Sequence, residues 1–337
     1  MSKILITGAS GFIGHHLVDC LTKRGDEIRC LVRKSSNTNL ISGFPVEFVY
    51  GDVSDSESLK KAVDQVDCVY HLAGVTREAK RGQFLEVNTQ GTKNLVDECL
   101  RHPNPPRIVY VSSLAAAGPG SKESPKKETD IVHPISLYGV SKCEAERYLI
   151  SVSDKISCSV VRPPFVFGEG DRASLELFKL VYKTRLHLIP GWINRMFSFV
   201  HACDLSNFLI KVEEHGEKLD LGSEISGNGV YFTSCGEDVK FSDFGRMIGK
   251  SLGIEKTITL PCPPLVVLIV GITCEMSKRI AGVSGALDWN KAKESISGPW
   301  ICSSEKGRKQ LGFRPEKTLQ ERLDQTAMWY KERAWIY

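Results

Sequence analysis

The sequence predicts an α/β protein: a doubly wound parallel sheet with helices on both faces, followed by a smaller, less regular C-terminal region. Three observations carry this. Short apolar runs alternate with helical patterns through the first half of the chain, as in a sheet covered on both sides. A glycine-rich turn, "TGASGFIG", joins the first such run to the first helical pattern. Beyond Pro164 the alternation gives way to interleaved Pro, Gly and Trp, as in "LIPGWINRMFSF" (188–199).

The 337 residues suffice for a large core, and 42% hydrophobic with 25% charged residues is an ordinary globular composition. A net charge of +4 with scattered basic residues offers no nucleic-acid surface. Eleven cysteines include no CxxC, and several lie in apolar runs such as "DCVYHLAG". Buried, reduced thiols in a cytoplasmic protein are expected, with neither disulfides nor a metal site. "MSKILITGAS" runs into a strand without the architecture of a signal peptide. The longest apolar run, "PPLVVLIVGITC" (263–274), is about half a membrane span; a buried or interfacial helix is expected there.

In order, the pattern predicts a strand at 3–7, a helix at 12–24, and strands at 27–32 and 46–52. A helix follows near 55–64, then a strand at 66–74, a long helix near 82–101 and a strand at 107–113. A helix near 137–152 and a strand at 157–163 complete the first domain, residues 1–164. Residues 165–337 form the substrate-binding region, within which 199–212 (a strand end running into a helix) and the strand 229–235 return to the main sheet. A C-terminal amphipathic helix over 315–335 opens at Pro315. The cleft lies at the carboxyl ends of the strands, between the two parts.

Gly8, Gly11 and Gly14 are spaced GxxGxxG between strand and helix. Positions without side chains let the backbone turn tightly and approach a pyrophosphate, which meets free N–H groups and the positive helix end. Ser10, Phe12 and Ile13 belong to the same Rossmann-type cradle. The second strand ends in Arg33 and Lys34, while Asp26 and Glu27 stand at its start, roughly 20 Å away at about 3.3 Å per residue. A cationic fork suits the 2′-phosphate of NADP, so NADP is expected in preference to NAD. Asp52 and Val53 fall at the adenine rim, and Leu72, Ala73 and Gly74 where the cofactor crosses the fourth strand.

"VNTQGTKNL" (87–95), "VSS" (111–113), "YGVSK" (138–142), "RPPFVFGEGD" (162–171) and "SFVHACDL" (198–205) follow in this order. With the glycine loop, "GD" (51–52) and "HLAG" (71–74), they make the chain resemble the extended short-chain dehydrogenase/reductase family over nearly its whole length. The resemblance implies a catalytic trio of Ser113, Tyr138 and Lys142. Ser113 lies 25 residues before Tyr138, as in the family, with Ser112 as the neighbouring candidate. Tyr138 and Lys142, at i and i+4, share one helix face. The lysine is expected to lower the phenol from its reference pKa of about 10 and to hold the nicotinamide ribose. Tyr138 then serves as general acid/base and Ser113 as hydrogen-bond partner of the substrate oxygen. Pro163 is placed at the cofactor.

Dehydratases of this family carry an Asp-Glu pair after the serine or threonine; Leu114 and Ala115 stand here. Epimerases commonly have an Asn where this chain has Phe165, and "RPPxVFGxGD" is similar to the 3β-hydroxysteroid dehydrogenase and dihydroflavonol reductase side. An oxidoreductase of apolar ketones or secondary alcohols is expected; the alternatives are a nucleotide-sugar epimerase or 4-keto reductase and a non-catalytic NADP(H) sensor. Thr76, Ser113, Phe165 and Trp192 are the candidate substrate contacts, with Phe167 and Phe197 as further aromatics. Arg185, Arg195 and Arg279 are candidates for a diphosphate, against solvated arginines. His201 and Asp204 are read as a structural pair, and 121–127 as a solvated loop. The helices near 82–101 and 137–152 are expected to pair two copies into a homodimer.

Overall fold

Aliphatic residues fill both faces of most early strands, so a sheet made of them must be covered on both sides. The computed structural model describes residues 2–121, 124–281 and 289–336, and of 275–281 the backbone alone. The first half runs β1 (Lys3–Thr7), α1 (Phe12–Arg24), β2 (Glu27–Val32), β3 (Val46–Tyr50), α2 (Ser56–Val63) and β4 (Cys68–His71). A π-helical stretch, Phe84–Gln90, then continues into α3 (Gly91–Leu100). β5 (Arg107–Val111), the short α4 (Leu114–Ala117), α5 (Leu137–Ser151) and β6 (Cys158–Arg162) follow.

The second half contains β7 (Phe165–Phe167), α6 (Arg172–Thr184), β8 (Leu186–Pro190), β9 (Met196–His201), α7 (Ala202–His215) and α8 (Ser223–Ser226). Next come β10 (Val230–Phe232), β11 (Asp238–Lys240), α9 (Phe241–Ser251) and β12 (Ile258–Cys262). The last helices are α10 (Pro264–Ala281), α11 (Trp289–Ile296), α12 (Glu305–Leu311) and α13 (Leu319–Glu332).

Seven parallel strands form the main sheet in the order β10-β6-β5-β4-β1-β2-β3. Alternation along β1 sends Ile4 and Ile6 to a core shared with α1 and α7, and Leu5 to one shared with α2, α3 and α5. The order reverses beside β1, and the glycine loop opens at that point, where a doubly wound sheet leaves its crevice.

Four expectations need correction. The strand at 199–201 belongs to β9, in a separate three-stranded sheet, β11-β9-β7; Val200 and the helix after it, α7, through Leu205, Phe208, Leu209 and Val212, pack into the core beneath the main sheet without adding a strand to it. β10, from the second predicted return, does pair with β6, Tyr231 opposite Val161. The C-terminal helix starts at Leu319, not Pro315. A reciprocal capping box fixes it there: Thr318 Oγ1 accepts from the Glu321 N–H, and Glu321 accepts from the Thr318 N–H. The predicted long helix near 82–101 holds two geometries, with its wide π turns over 84–90.

His201 and Asp204 bind other partners than each other. The Asp204 carboxylate pairs with Arg322 at 2.5 Å, tying α7 to α13, while His201 meets Glu169 at 3.1 Å. All eleven cysteines are free thiols.

Candidate active site

The loop between β1 and α1 holds Gly8 at φ +77°, a left-handed conformation open to glycine. A Cβ on Gly8 would lie 2.8 Å from the backbone of Leu72 and Ala73. One on Gly14 would lie 2.2 Å from the Gly8 carbonyl oxygen. Gly11, whose N–H donates to that same carbonyl at 3.0 Å, caps α1 with no side-chain acceptor and no acidic residue in the first turn. The helix therefore offers its first N–H groups to an anion, which is the fit a dinucleotide pyrophosphate requires.

Around this loop the strand ends carry the other predicted residues. Arg33 and Lys34 leave β2 exposed, in a turn closed by bonds between Arg33 and Ser36. The Asp52 carboxylate accepts from the Ser54 N–H at 2.9 Å and hydroxyl at 2.8 Å, and Val53 is buried against Gly91. Leu72 and Ala73 donate from their N–H groups to Thr7, main chain and hydroxyl respectively. Gly74 lies open on the surface, where a Cβ would meet Asn88 Oδ1 at 2.9 Å and Lys142 Nζ at 3.3 Å. Ser10, Phe12 and Ile13 are half-buried in the loop and the first turn. Pro163 is buried, and its carbonyl accepts from Leu114.

Ser113 ends the β5 segment and caps α4, accepting from the Ala115 N–H at 3.1 Å. Tyr138 lies in the first turn of α5, capped by Ser136, whose hydroxyl accepts from Gly139 N–H at 3.0 Å. Gly139 lets α5 press on α4, since a Cβ there would stand 2.3 Å from the Ala115 carbonyl. That approach brings the Ser113 hydroxyl near the Tyr138 phenol. Burial raises the Tyr138 phenol above its ordinary value, while the Lys291 ammonium and the nearby Ser113 hydroxyl pull it down. Lys142 is buried; desolvation pulls its ammonium down to about 8, against the upward pull of Glu146. Its Nζ donates to the Val111 carbonyl at 2.9 Å and lies 4.7 Å from the Tyr110 ring centroid.

The cation over the phenol is thus Lys291, 5.0 Å from the Tyr138 ring centroid, and not the expected Lys142. Lys291 belongs to α11, which grips the start of α5: Ser136 donates to Glu294 at 2.5 Å and the Leu137 N–H to Asn290 at 3.1 Å. Nothing in the spacing of motifs marks a residue this far along the chain. Asn88 is the second missed residue. Fully buried, it holds Val75 through N–H and C=O bonds of 2.8 and 3.0 Å and donates to Ser141 at 3.0 Å. The stretch "VNTQGTKNL" was its signal. Ser112, beside Ser113, is buried and its hydroxyl has no partner among the described residues.

Apolar groups close the site: Phe84, Leu114, Trp300 and Cys302 form one cluster with Tyr138, joined by Val75, Ile135 and Phe197. Thr76 is exposed beyond β4. Phe165 packs on Phe199 and Phe244, at 5.4 and 5.9 Å between ring centroids, within the aromatic core of the small sheet that also takes Phe167. Trp192 is 68% exposed. Arg195 straps three main-chain carbonyls, of Pro190, Ile193 and Ile296; Arg185 is exposed. The side chain of Arg279, like residues 122 and 123 of the predicted loop, lies outside the described residues.

His16, Glu169 and Cys203 bring potential metal donors close together. The two ring nitrogens of His16 face opposite partners, however: Nε2 meets the Glu169 carbonyl at 2.9 Å and Nδ1 the Cys203 thiol at 3.3 Å. The ring is a strut between α1 and the loop before α6, and burial holds its pKa down to about 3.

Comparison with known proteins agrees with this geometry. A UDP-glucose 4-epimerase of Vibrio cholerae is 28% identical, over 96% of this chain and 94% of its own. A 3 beta-hydroxysteroid dehydrogenase/Delta 5→4-isomerase of Mycobacterium tuberculosis is 26% identical, over 98% and 90%. A 4-hydroxy-2-methyl-3-oxo-4-farnesyl-3,4-dihydroquinoline-1-oxide ketoreductase of Stigmatella aurantiaca is 24% identical, over 96% and 95%. Among solved structures, the dTDP-glucose 4,6-dehydratase of Bacillus anthracis in complex with NAD shares the fold with a TM-score of 0.78 at 18% identity, over 100% of this chain and 99% of that one. The profile of the NAD dependent epimerase/dehydratase family matches residues 4–225. With that match across more than half its length, the chain belongs to the NAD dependent epimerase/dehydratase family, enzymes that work through a nicotinamide dinucleotide.

Proposed function

We propose that the protein interconverts a secondary alcohol and a ketone on a fairly apolar small molecule, with NADP as the preferred cofactor. The observation that carries this reading is the surroundings of Tyr138: a phenol set in a buried apolar cluster with Phe84, Leu114 and Trp300. A polar nucleotide-sugar would find few partners on such walls. The cofactor, when bound, gives or takes a hydride at its nicotinamide ring. Tyr138 holds a proton at its Oη, donating it to the carbonyl oxygen in reduction and taking it back in oxidation. Ser113 hydrogen-bonds the same oxygen and stabilises its developing charge. Lys142, fixed on Val111 beside Gly74, holds the ribose hydroxyls of the cofactor. Arg33 and Lys34, exposed at the end of β2, take the 2′-phosphate. In a homodimer two copies would pair through α3 and α5.

A turnover screen tests the reading. NADPH consumption with steroid-like or aryl ketones, and none with UDP-sugars, is the expected result. Sugar interconversion without net redox change would replace it with epimerisation, a second reading favoured by the likeness to the Vibrio cholerae enzyme.

A further inference from the structure

From Thr257 to Cys274 the chain carries no charged residue, yet much of this stretch lies at the surface. Helix α10 buries Val267 and Gly271, which defines its inner side. Its outer side shows Leu265, 68% exposed, and Ile269, 49% exposed, with Val266, Val270 and Ile272 beside them. A helix on the surface of a water-soluble protein normally turns charged residues outward there. The apolar surface continues into the ribbon that precedes it. β8 and β12 pair in parallel with Leu188 opposite Leu260, and both of these side chains and Ile258 are exposed. His187 and Ile189 take the covered side. Gly191 bridges to Cys262, which brings exposed Trp192 and Ile193 to the start of α10.

The rim of this surface is basic. Lys183, Arg185, Lys250 and Lys256 are all exposed around the amino-terminal ends of β8 and β12. The carboxylates of Glu176 and Asp243 nearby are taken by Lys179 and Arg246, and exposed Glu255, beside Lys250 and Lys256, offsets one charge, so the rim stays net positive among the described residues. Apolar residues with a tryptophan at one edge and cations at another are what the headgroup boundary of an anionic bilayer accepts. No helix among the described residues is long and apolar enough to cross a membrane, so the contact is one of lying on the surface.

We infer that the face formed by the outer side of α10 and the β8–β12 ribbon docks on a bilayer surface bearing anionic phospholipids. α10 packs on α11, and α11 carries Lys291 beside Tyr138; the docked face is therefore one helix away from the phenol. The inference rests on the surface alone and holds whichever substrate the site takes.

The test is flotation of the full-length protein with vesicles of phosphatidylcholine, alone or mixed with phosphatidylglycerol. The expected result is flotation with the mixed vesicles and far less with the neutral ones. Leu265→Asn with Ile269→Asn, and separately Lys183→Glu with Lys256→Glu, each lower the bound fraction at least about tenfold, with NADPH binding and the unfolding midpoint retained. If the apolar pair impairs folding, the charge-reversed pair decides. The inference is overturned if the wild type does not float with anionic vesicles, or if charge reversal leaves its binding intact. It is overturned equally if sedimentation shows a dimer that the Leu265/Ile269 pair dissociates, which would assign the face to a second copy of the chain.

Discussion

The seven-stranded sheet and the small sheets beyond Pro164 bury their residues by different means. In the first, side chains alternate between two cores and most strands are covered on both faces. In the second, the β11-β9-β7 sheet packs through aromatic rings, with Phe199 stacked on Phe244 at 4.0 Å, while the β8–β12 ribbon leaves one side open. Backbone positions at strand ends define the chemistry of the first region: a turn only glycine fits, a capped serine, a tyrosine in the first turn of a helix. Side chains on irregular segments would define whatever the second region recognises under the proposed function. One region can stay fixed while the other changes, which is how a fold hosts many substrates on one reaction.

The comparison can be broken at several points. The largest effect is expected from Tyr138→Phe, which should cut turnover by about a hundred- to ten-thousandfold and leave cofactor binding intact in a fluorescence titration; normal turnover would remove the phenol from the chemistry. Next is the buried pair of Glu146 and Arg162, 2.6 Å apart, which locks α5 to β6. Arg162→Met strands a buried carboxylate and should lower the unfolding free energy by about 3–5 kcal/mol in urea; a loss under 1 kcal/mol would show that the sheet side is less rigid than argued.

A smaller effect concerns acid. Burial holds His71, bonded to Thr7 and Thr92, down to about 3, whereas the unfolded chain titrates near 6.5. Between these values the unfolded state binds the proton that the native ring refuses, so stability falls as pH drops. From pH 7 to 5 this ring alone accounts for about 2 kcal/mol, and His71→Gln should flatten that slope. Arg33→Ala should weaken NADPH about tenfold and NADH hardly at all; equal loss would refute a phosphate contact. The subtlest probe crosses between the regions. Lys291→Met removes a cation that lowers the Tyr138 phenol, so the acidic limb of alcohol oxidation, where the phenolate base is lost to protonation, should move to higher pH, whereas a merely structural role for α11 would leave that limb in place.

What could be read from the sequence follows the same division. Strands that are apolar on both faces, and the glycine loop, report on backbone geometry and are local, so β1 to β6 and Gly8, Gly11 and Gly14 were legible. Ser113 and Tyr138 were legible because a resemblance carried their spacing. Lys291 was not, because it meets Tyr138 only after the chain has built a second region and returned. Phe165 was placed correctly in the chain, but a residue in a strand can face either way, and here its ring joins Phe199 and Phe244. The start of α13 was misjudged because Pro315 is a weaker signal than the Thr318–Glu321 box.

The pairing of β10 with β6 has a consequence for how the protein is made. A ribosome releases β6 long before it has synthesised Val230–Phe232, and until then Cys158–Arg162 is an unpaired sheet edge of apolar composition. Such an edge is a template for another chain. Fragments ending near residue 164 should therefore aggregate, and a nascent chain paused there is the stage at which a chaperone would be needed.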